Sequence, residues 1–128
     1  DQVRVAMLAA VLERRAGLSL LGHDLFVNVA GGATLDEPAA DLPVALAIAS
    51  SLRNRAVDPR VCAFGEIGLS GEVRGVARAE ARLEEIRRLG FGRALMPVAG
   101  TDKVLCPAGL ALVRVASLDE ALEAALDG

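Results

Sequence analysis

The fold of this chain is decided around one stretch, Val61-Cys-Ala-Phe-Gly-Glu-Ile-Gly-Leu-Ser-Gly-Glu-Val-Arg74. Apolar residues recur along it at the spacing of half-buried strands, and three glycines interrupt it where the chain must turn or approach another backbone closely. We therefore predict a hairpin of two short β-strands over Val61–Arg74, with its tight turn at Ser70-Gly71. The apolar positions of this predicted hairpin are Val61, Ala63, Ile67, Leu69 and Val73.

Helical patterns flank the predicted hairpin on both sides. Asp41–Leu52 has a helical pattern that begins with an aspartate at the cap position and a proline in the first turn, and its part Val44–Leu52 is apolar nearly all round. This pattern predicts a buried helix with Asp41 as its N-cap. Ala77–Leu89 has apolar residues on one side and charges on the other, which predicts an amphipathic surface helix.

Two more helices are predicted near the ends of the chain. Gln2–Arg15 has a broad apolar stripe at helical spacing, and Gly17 follows it as a predicted C-terminal cap. Ser117-Leu-Asp-Glu120 has the spacing of a capping box, which predicts a last helix that ends at Leu126.

Short apolar runs between the helices predict additional strands and fix the fold class. The predicted strands are Leu18–Leu21, Leu25–Ala30, Arg93–Met96 and Leu110–Val115. The single histidine, His23, lies in the turn between the first two, where a surface polar residue is more typical than a catalytic one. Helices that alternate with pairs of strands indicate an α+β fold of mixed α/β layers, with helices packed on a sheet.

Length and composition indicate one domain spanning residues 1–128. A chain of 128 residues with 53% hydrophobic content can bury one sizeable core but not two. Aromatic residues make up only 2% of the chain, so stacking platforms for nucleic-acid bases are nearly absent. The net charge of -3 argues against an autonomous, strongly basic nucleic-acid-binding protein.

The positive charges are nearly all arginine, and their clustering leaves two interpretations open. The clusters are Arg53/Arg55/Arg60, Arg74/Arg78/Arg82 and Arg87/Arg88. In the first interpretation these side chains are solvated helix faces paired with Glu80, Glu84 and Glu85. In the second they form a local anion-facing surface on an otherwise acidic domain.

Cysteine usage and hydropathy indicate a reduced, cytoplasmic domain. Cys62 and Cys106 are isolated from each other and lack zinc-ligand spacing, so we expect two free thiols that are mostly buried. Neither a membrane-spanning run nor a secretion signal is visible, and we expect a soluble cytoplasmic domain without a membrane partner. Because the chain begins abruptly in a helical pattern, we also expect it to be part of a longer protein.

Three segments resemble the C-terminal, Lon-protease-like domain of the RadA (Sms) family of bacterial DNA-repair proteins. The segments are Val11–Leu18 with Asp24–Gly32, Glu37–Ser51, and Phe64–Arg74 followed by Arg82–Phe91, and the resemblance covers nearly the whole chain. It implies a Lon proteolytic-domain-like fold, of the class ribosomal protein S5 domain 2-like. The last two segments alone would indicate the wider Lon-like group, which includes ATPases of the ComM type.

The residues that would perform catalysis in a Lon-type protease are replaced in this chain. In active members the helix begins Asp-Gly-Pro-Ser-Ala-Gly, and its serine attacks the peptide; here the stretch reads Asp41-Leu-Pro-Val-Ala-Leu46. Val44 therefore stands at the nucleophile position, and the family's lysine position falls on Glu80. Serine–lysine chemistry needs a hydroxyl and an amine of lowered pKa, and neither is present at these two positions. Rescue by Ser50, Ser51 or the sole lysine, Lys103, would need a different geometry.

The resemblance implies a non-catalytic domain that helps to assemble a helicase on DNA. Family members combine a zinc motif, a RecA-type ATPase and this domain, so we expect ATP, Mg and Zn only in upstream domains, and no cofactor here. The implied partners are other copies of the chain in a hexameric ring, single-stranded or branched DNA, and RecA. We predict that the DNA-contacting side chains are Arg53, Arg55, Arg74, Arg78 and Arg82.

Two alternatives remain open at this point. One is a Lon-like Ser/Lys peptidase, which Val44 and Glu80 argue against. The other is a regulatory domain attached to a different ATPase, of the ComM type.

Overall fold

A computed structural model describes residues 2–18 and 37–126 of the chain. The helices are α1 Gln2–Arg15, α2 Asp41–Arg53, α3 Ala79–Arg88 and α4 Leu118–Ala125, and one 3-10 turn, Pro38–Ala40, precedes α2. The strands are β1 Val61–Ala63, β2 Glu66–Ile67, β3 Val73–Arg74, β4 Arg93–Pro97 and β5 Ala111–Val115. The predicted α+β class is confirmed. Of the predicted strands Leu18–Leu21 and Leu25–Ala30, only Leu18 lies within the described residues. His23 lies outside them.

The described strands form two separate sheets. β1, β4 and β5 make a three-stranded parallel sheet in the order β1-β4-β5, with Val61 opposite Arg93 and Arg93 opposite Ala111. β2 and β3 make a two-stranded antiparallel hairpin in which Glu66 is opposite Arg74. The connection from β4 to β5, residues 98–110, contains no helix, although the two strands are parallel.

The predicted hairpin was too long, because Val61 and Ala63 belong to the parallel sheet. Phe64 still donates its N–H to the Leu95 carbonyl, and the chain then leaves the sheet at Gly65. Gly65 donates to the Ala39 carbonyl and accepts from the Leu42 N–H, so it is fastened to the start of α2. A Cβ at this position would lie 2.9 Å from a Val73 methyl, which explains why glycine is required there.

The helix predictions are confirmed in position, but one cap was wrong. α1 has the predicted bounds, and Gly17 adopts a left-handed conformation as the Leu18 N–H closes back on the Leu12 carbonyl. The Ser117 side chain accepts the N–H of Glu120, as the capping box predicts. The N-cap of α2 is Ala40, whereas Asp41 is the first helical residue and directs its carboxylate elsewhere.

The core is divided into two clusters by the parallel sheet. Side chains of α1, α2, α4 and the hairpin pack together on one face, around Leu12, Leu42 and Leu95. α3 packs on the other face through Leu83 and Ile86, which contact Ala94 and Met96 of β4. Alternate residues of β4 thus enter opposite clusters, as the period of a strand requires.

Some burial predictions were wrong in detail. α2 is not buried all round, since Ala47 and Ser51 are exposed, and the Cys106 thiol is exposed while Cys62 is half-buried. Burial raises the pKa of the Cys62 thiol. Within the two described ranges, no helix combines the length and the apolar character needed to cross a bilayer.

Asp41 ties three elements together at the centre of the larger cluster. Its carboxylate is only 2% exposed, and it accepts two hydrogen bonds from the Arg4 guanidinium of α1. The same carboxylate accepts the backbone N–H of Ile67 in β2 at 3.0 Å. Glu66 approaches Arg4 from the hairpin side at 3.3 Å. These contacts raise the pKa of Arg4, chiefly through the hydrogen bond to Asp41, so the guanidinium stays protonated.

Replacing Arg4 with glutamine should lower the free energy of unfolding by about 2 to 4 kcal/mol, because the Asp41 carboxylate would keep a buried charge without a counter-ion. Urea denaturation of the 128-residue chain, followed by circular dichroism, measures the change. Arg14→Gln is the matched control, since it removes one exposed arginine from the same helix and should alter stability by less than about 0.5 kcal/mol. Equal effects of the two substitutions would show that the Arg4–Asp41 pair does not hold the helices to the hairpin.

Candidate functional site

The tip of the hairpin is held rigidly between two helices. Gly71 has a left-handed φ of 82°, and a Cβ there would lie 3.0 Å from the Cβ of Arg15 at the end of α1. Its carbonyl accepts the N–H of Leu118, the first residue of α4, at 2.8 Å. Glycine is therefore needed both for the turn and for the close approach of α1, and Leu69 is left 72% exposed at the tip.

Glu72 completes this turn and neutralises the neighbouring arginine. Its carboxylate accepts the N–H of Ser70 at 3.1 Å and pairs with Arg74 at 3.2 Å. The hydrogen bond from its own backbone N–H, followed by Arg74 and the Ser70 N–H, lowers the pKa of Glu72. The Gly-Glu sequence of the turn is thus explained by local structure.

The two positions that the sequence analysis assigns to a degenerate dyad lie in different surroundings. Val44 is half-buried on the second turn of α2 and packs against the larger core cluster. Glu80 is exposed on the first turn of α3, the helix that packs on the opposite face of the parallel sheet.

The side chains that could replace the missing nucleophile and base, Ser50, Ser51 and Lys103, form no hydrogen bond with one another in the described residues. The Ser50 hydroxyl donates to the Arg55 carbonyl at 2.6 Å, and Ser51 is exposed on the outer side of α2. Over residues 2–18 and 37–126, no serine or threonine hydroxyl is hydrogen-bonded to Lys103. Nor does this part of the chain gather three or more histidine, cysteine or acidic side chains that could hold a metal ion.

The predicted arginines of segment 74–82 are mostly engaged with acidic or backbone groups. Arg82 donates to the Ala77 carbonyl and to Glu37, each at 2.9 Å, and its guanidinium lies 5.9 Å from the centre of the Phe64 ring. Arg74 is paired with Glu72. Arg78 is exposed and adopts a left-handed φ of 64° just before α3, an uncommon conformation for a residue with a side chain.

The other two predicted arginines lie at the far end of α2. Arg53 ends that helix and Arg55 follows it, whereas Asp41 at its start contacts the hairpin. A helix of this length spans about 18 Å. The five predicted residues are therefore divided between the two ends of α2 and do not make one continuous patch around the hairpin.

Asp58 and Arg93, which the sequence reasoning did not include, lie with Arg60 where β1 and β4 begin. Arg60 and Arg93 approach the same oxygen, Oδ2 of Asp58, at 2.9 Å and 3.7 Å. The Arg93 N–H also donates to the Arg60 carbonyl, so parallel pairing brings the two residues together. The hydrogen bond from Arg60 is the main cause that lowers the pKa of Asp58 to about 2. A prediction that β1 and β4 pair in parallel would have found this cluster.

The first interpretation of the arginine clusters is confirmed for one of them. Arg87 pairs with Glu84 and Arg88 pairs with Glu85, each three residues apart on the exposed side of α3. These surface pairs are worth little in stability, but they neutralise that part of the helix.

Comparison with known proteins places the chain in a family and beside named relatives. A family model described as subunit ChlI of Mg-chelatase matches residues 3–100. The DNA repair protein RadA of Bacillus subtilis is 47% identical over 128 residues, which is all of this chain and 28% of the relative. The proteins of the same name from Pseudomonas aeruginosa and Halalkalibacterium halodurans are 46% and 44% identical over 97% and 98% of the chain, covering 27% and 28% of their own length.

The match to these relatives extends along nearly the whole chain, although the chain spans only about 28% of their length. The resemblance to RadA is therefore confirmed for this region, while the family model covers residues 3–100 under a different description. The chain belongs to the family described as subunit ChlI of Mg-chelatase and is a RadA-related region.

Proposed function

We propose that this chain is the C-terminal, Lon-protease-like domain of a cytoplasmic RadA-type DNA repair and recombination helicase, and that it acts in assembly and DNA contact without catalysis. The identity of 42 to 47% with proteins named DNA repair protein RadA is the observation that carries the proposal. Unlike a peptidase, such a domain needs no nucleophile, which agrees with valine at position 44.

The chemistry of positions 44 and 80 supports the non-catalytic part of the proposal. An isopropyl group has no lone pair to attack a carbonyl, so Val44 cannot form an acyl intermediate. Position 80 is exposed to water, where a lysine would keep a pKa of about 10.4 and remain protonated at neutral pH. Serine at position 44 and lysine at position 80 would therefore restore the two residue types of the dyad. The lysine would still be exposed to solvent, and the chemistry requires a desolvated amine.

The double variant Val44→Ser/Glu80→Lys should fold and should not hydrolyse casein. Fluorescent casein assayed at neutral pH, with a Val44→Ala/Glu80→Gln variant as the control, measures this directly. Cleavage by the Ser/Lys variant well above the control would show that a working oxyanion site and a buried amine survive in this fold.

The proposed assembly explains how an acidic domain can contribute to DNA binding. One copy has a net charge of -3, and single phosphate contacts from it would bind weakly. In a hexameric ring, six copies of one arginine-bearing surface face the same strand, so that small contacts add through effective concentration. The ATP, Mg and Zn that a RadA-type helicase uses, and any contact with RecA, belong in this proposal to the remainder of the longer protein.

Neutralising four of the five predicted arginines in the full-length protein should weaken DNA binding and flatten its dependence on salt. The substitutions are Arg53→Gln, Arg55→Gln, Arg74→Gln and Arg78→Asn. Asparagine is chosen at position 78 because it tolerates the left-handed backbone. Arg82 is left intact, since its contacts with Glu37, Ala77 and Phe64 hold α3 against the start of α2.

Fluorescence anisotropy of a labelled single-stranded oligonucleotide at several salt concentrations measures this prediction. Each lost phosphate contact on a single strand should lower the slope of log affinity against log salt by about 0.7. Binding and slope equal to those of the unaltered protein would remove DNA contact from the function of this domain.

A regulatory domain on another ATPase is the second candidate. The family model favours it, because its description names a Mg-chelatase subunit and not a DNA repair protein. The two candidates differ in the segment that precedes residue 1 in the longer protein. A RecA-type ATPase with a four-cysteine motif supports the first candidate, and a different ATPase supports the second.

A further inference from the structure

Helix α1 lies alongside the hairpin from its base to its tip. Near the start of α1, the Arg4 guanidinium donates to Glu66, the first residue of β2, at 3.3 Å. Near the end of α1, the Cβ of Arg15 lies 3.0 Å from the place that a Cβ of Gly71 would take. The helix spans about 17 Å between these two contacts, and the chain from Glu66 to Gly71 spans at most about 17 Å when extended. The helix and the first arm of the hairpin are therefore in contact at both ends.

The hairpin depends on neighbouring elements for its position. β2 and β3 have two residues each and form a sheet separate from β1, β4 and β5. A two-stranded hairpin is at best marginally stable in water by itself. At its tip, the Gly71 carbonyl accepts the Leu118 N–H of α4, and the Val73 N–H donates to the Ala116 carbonyl. A displacement of the hairpin would therefore reach the start of α4.

The two contacts of Arg4 differ in how readily they can open. The contact with Asp41 uses both carboxylate oxygens, and Asp41 is 2% exposed, so its opening would leave a buried charge unpaired. The contact with Glu66 is longer, and the side chains of Arg4 and Glu66 are 32% and 31% exposed. An ion pair in such surroundings is worth little, and water can replace it. Arg4 thus fixes α1 to α2 and joins the hairpin to α1 by a contact that can break and re-form.

We propose that the hairpin follows the position of α1, so that a movement of the segment before residue 1 reaches the hairpin tip and the start of α4. This inference rests on the proposed function, in which an ATPase domain precedes residue 1. Closure of the Arg4–Glu66 contact holds the hairpin against α1, and its opening releases the base of the hairpin. Nucleotide bound to the ATPase favours one of these two arrangements, because a ligand shifts an equilibrium only by binding one state more tightly.

Hydrogen–deuterium exchange of the full-length protein, with and without Mg and a nonhydrolysable ATP analogue, tests this coupling. The analogue should change the exchange rates of amides in α1 and in residues 66–74 by at least about fivefold, as the weaker couplings between distant sites do. The Leu118 amide should change in the same direction, because it is bonded to the Gly71 carbonyl. Amides of β4, the central strand of the parallel sheet, should keep their rates.

A variant that cuts the contact between Arg4 and the hairpin shows whether the change passes through it. Glu66→Ala removes this contact and leaves the buried Arg4–Asp41 pair in place. It should lose more than half of the nucleotide-dependent change in residues 66–74 and keep the change within α1. Arg14→Gln is the matched control, since it removes one charge from the exposed side of α1 and should respond as the wild type does.

Three results would overturn the inference and leave the proposed function standing. The Glu66→Ala variant could respond as the wild type does, the wild-type hairpin could keep its exchange rates while the analogue is bound, or β4 could change as much as the hairpin. Failure of the full-length protein to bind the analogue would contradict the proposed function and, with it, the inference.

Discussion

The buried ion pair between Arg4 and Asp41 is the contact on which the arrangement of the larger core depends. Asp41 is 2% exposed and holds α1 through a guanidinium and β2 through a backbone N–H, so one carboxylate fixes the relative positions of two helices and the hairpin. A carboxylate at such a site is tolerated only when its hydrogen-bonding capacity is filled. No buried side-chain oxygen or nitrogen of residues 2–18 and 37–126 lacks a hydrogen-bond partner. The start of α2 is therefore fixed by the contacts of Asp41, which do not involve the side chain at position 44.

Local patterns predicted the helices well and the pairing of strands poorly. The stripe of α1, the capping box at Ser117 and the amphipathic pattern of α3 depend on residues a few positions apart, and each helix appears within two residues or so of its predicted bounds. The sequence reasoning assigned Val61–Ala63 to a hairpin, because a short apolar run beside glycines does not reveal that its partner is β4, some thirty residues away. Asp41 was likewise interpreted as a cap, since nothing local indicates that its partner is Arg4.

The candidate site shows the same division between local and distant information. The proposed replacement of a serine and a lysine rests on short motifs around Val44 and Glu80, so it could be inferred from sequence and remains a prediction. Only some partners of the arginines are local: Glu72 and Arg74, like Asp58 and Arg60, are two residues apart. Glu37 is 45 residues from Arg82, and Arg93 reaches Asp58 only after β1 and β4 pair in parallel, so these two contacts could not be recognised from sequence.

The central proposal, that the domain contacts DNA, is tested most directly by hydrogen–deuterium exchange of the full-length protein with and without a single-stranded oligonucleotide. The account predicts that backbone amides near the predicted arginines, in residues 53–55 or 74–82, become protected on DNA binding, while those around Val44 are unchanged. Protection confined to the rest of the longer protein, with no change anywhere in this domain, would contradict the account.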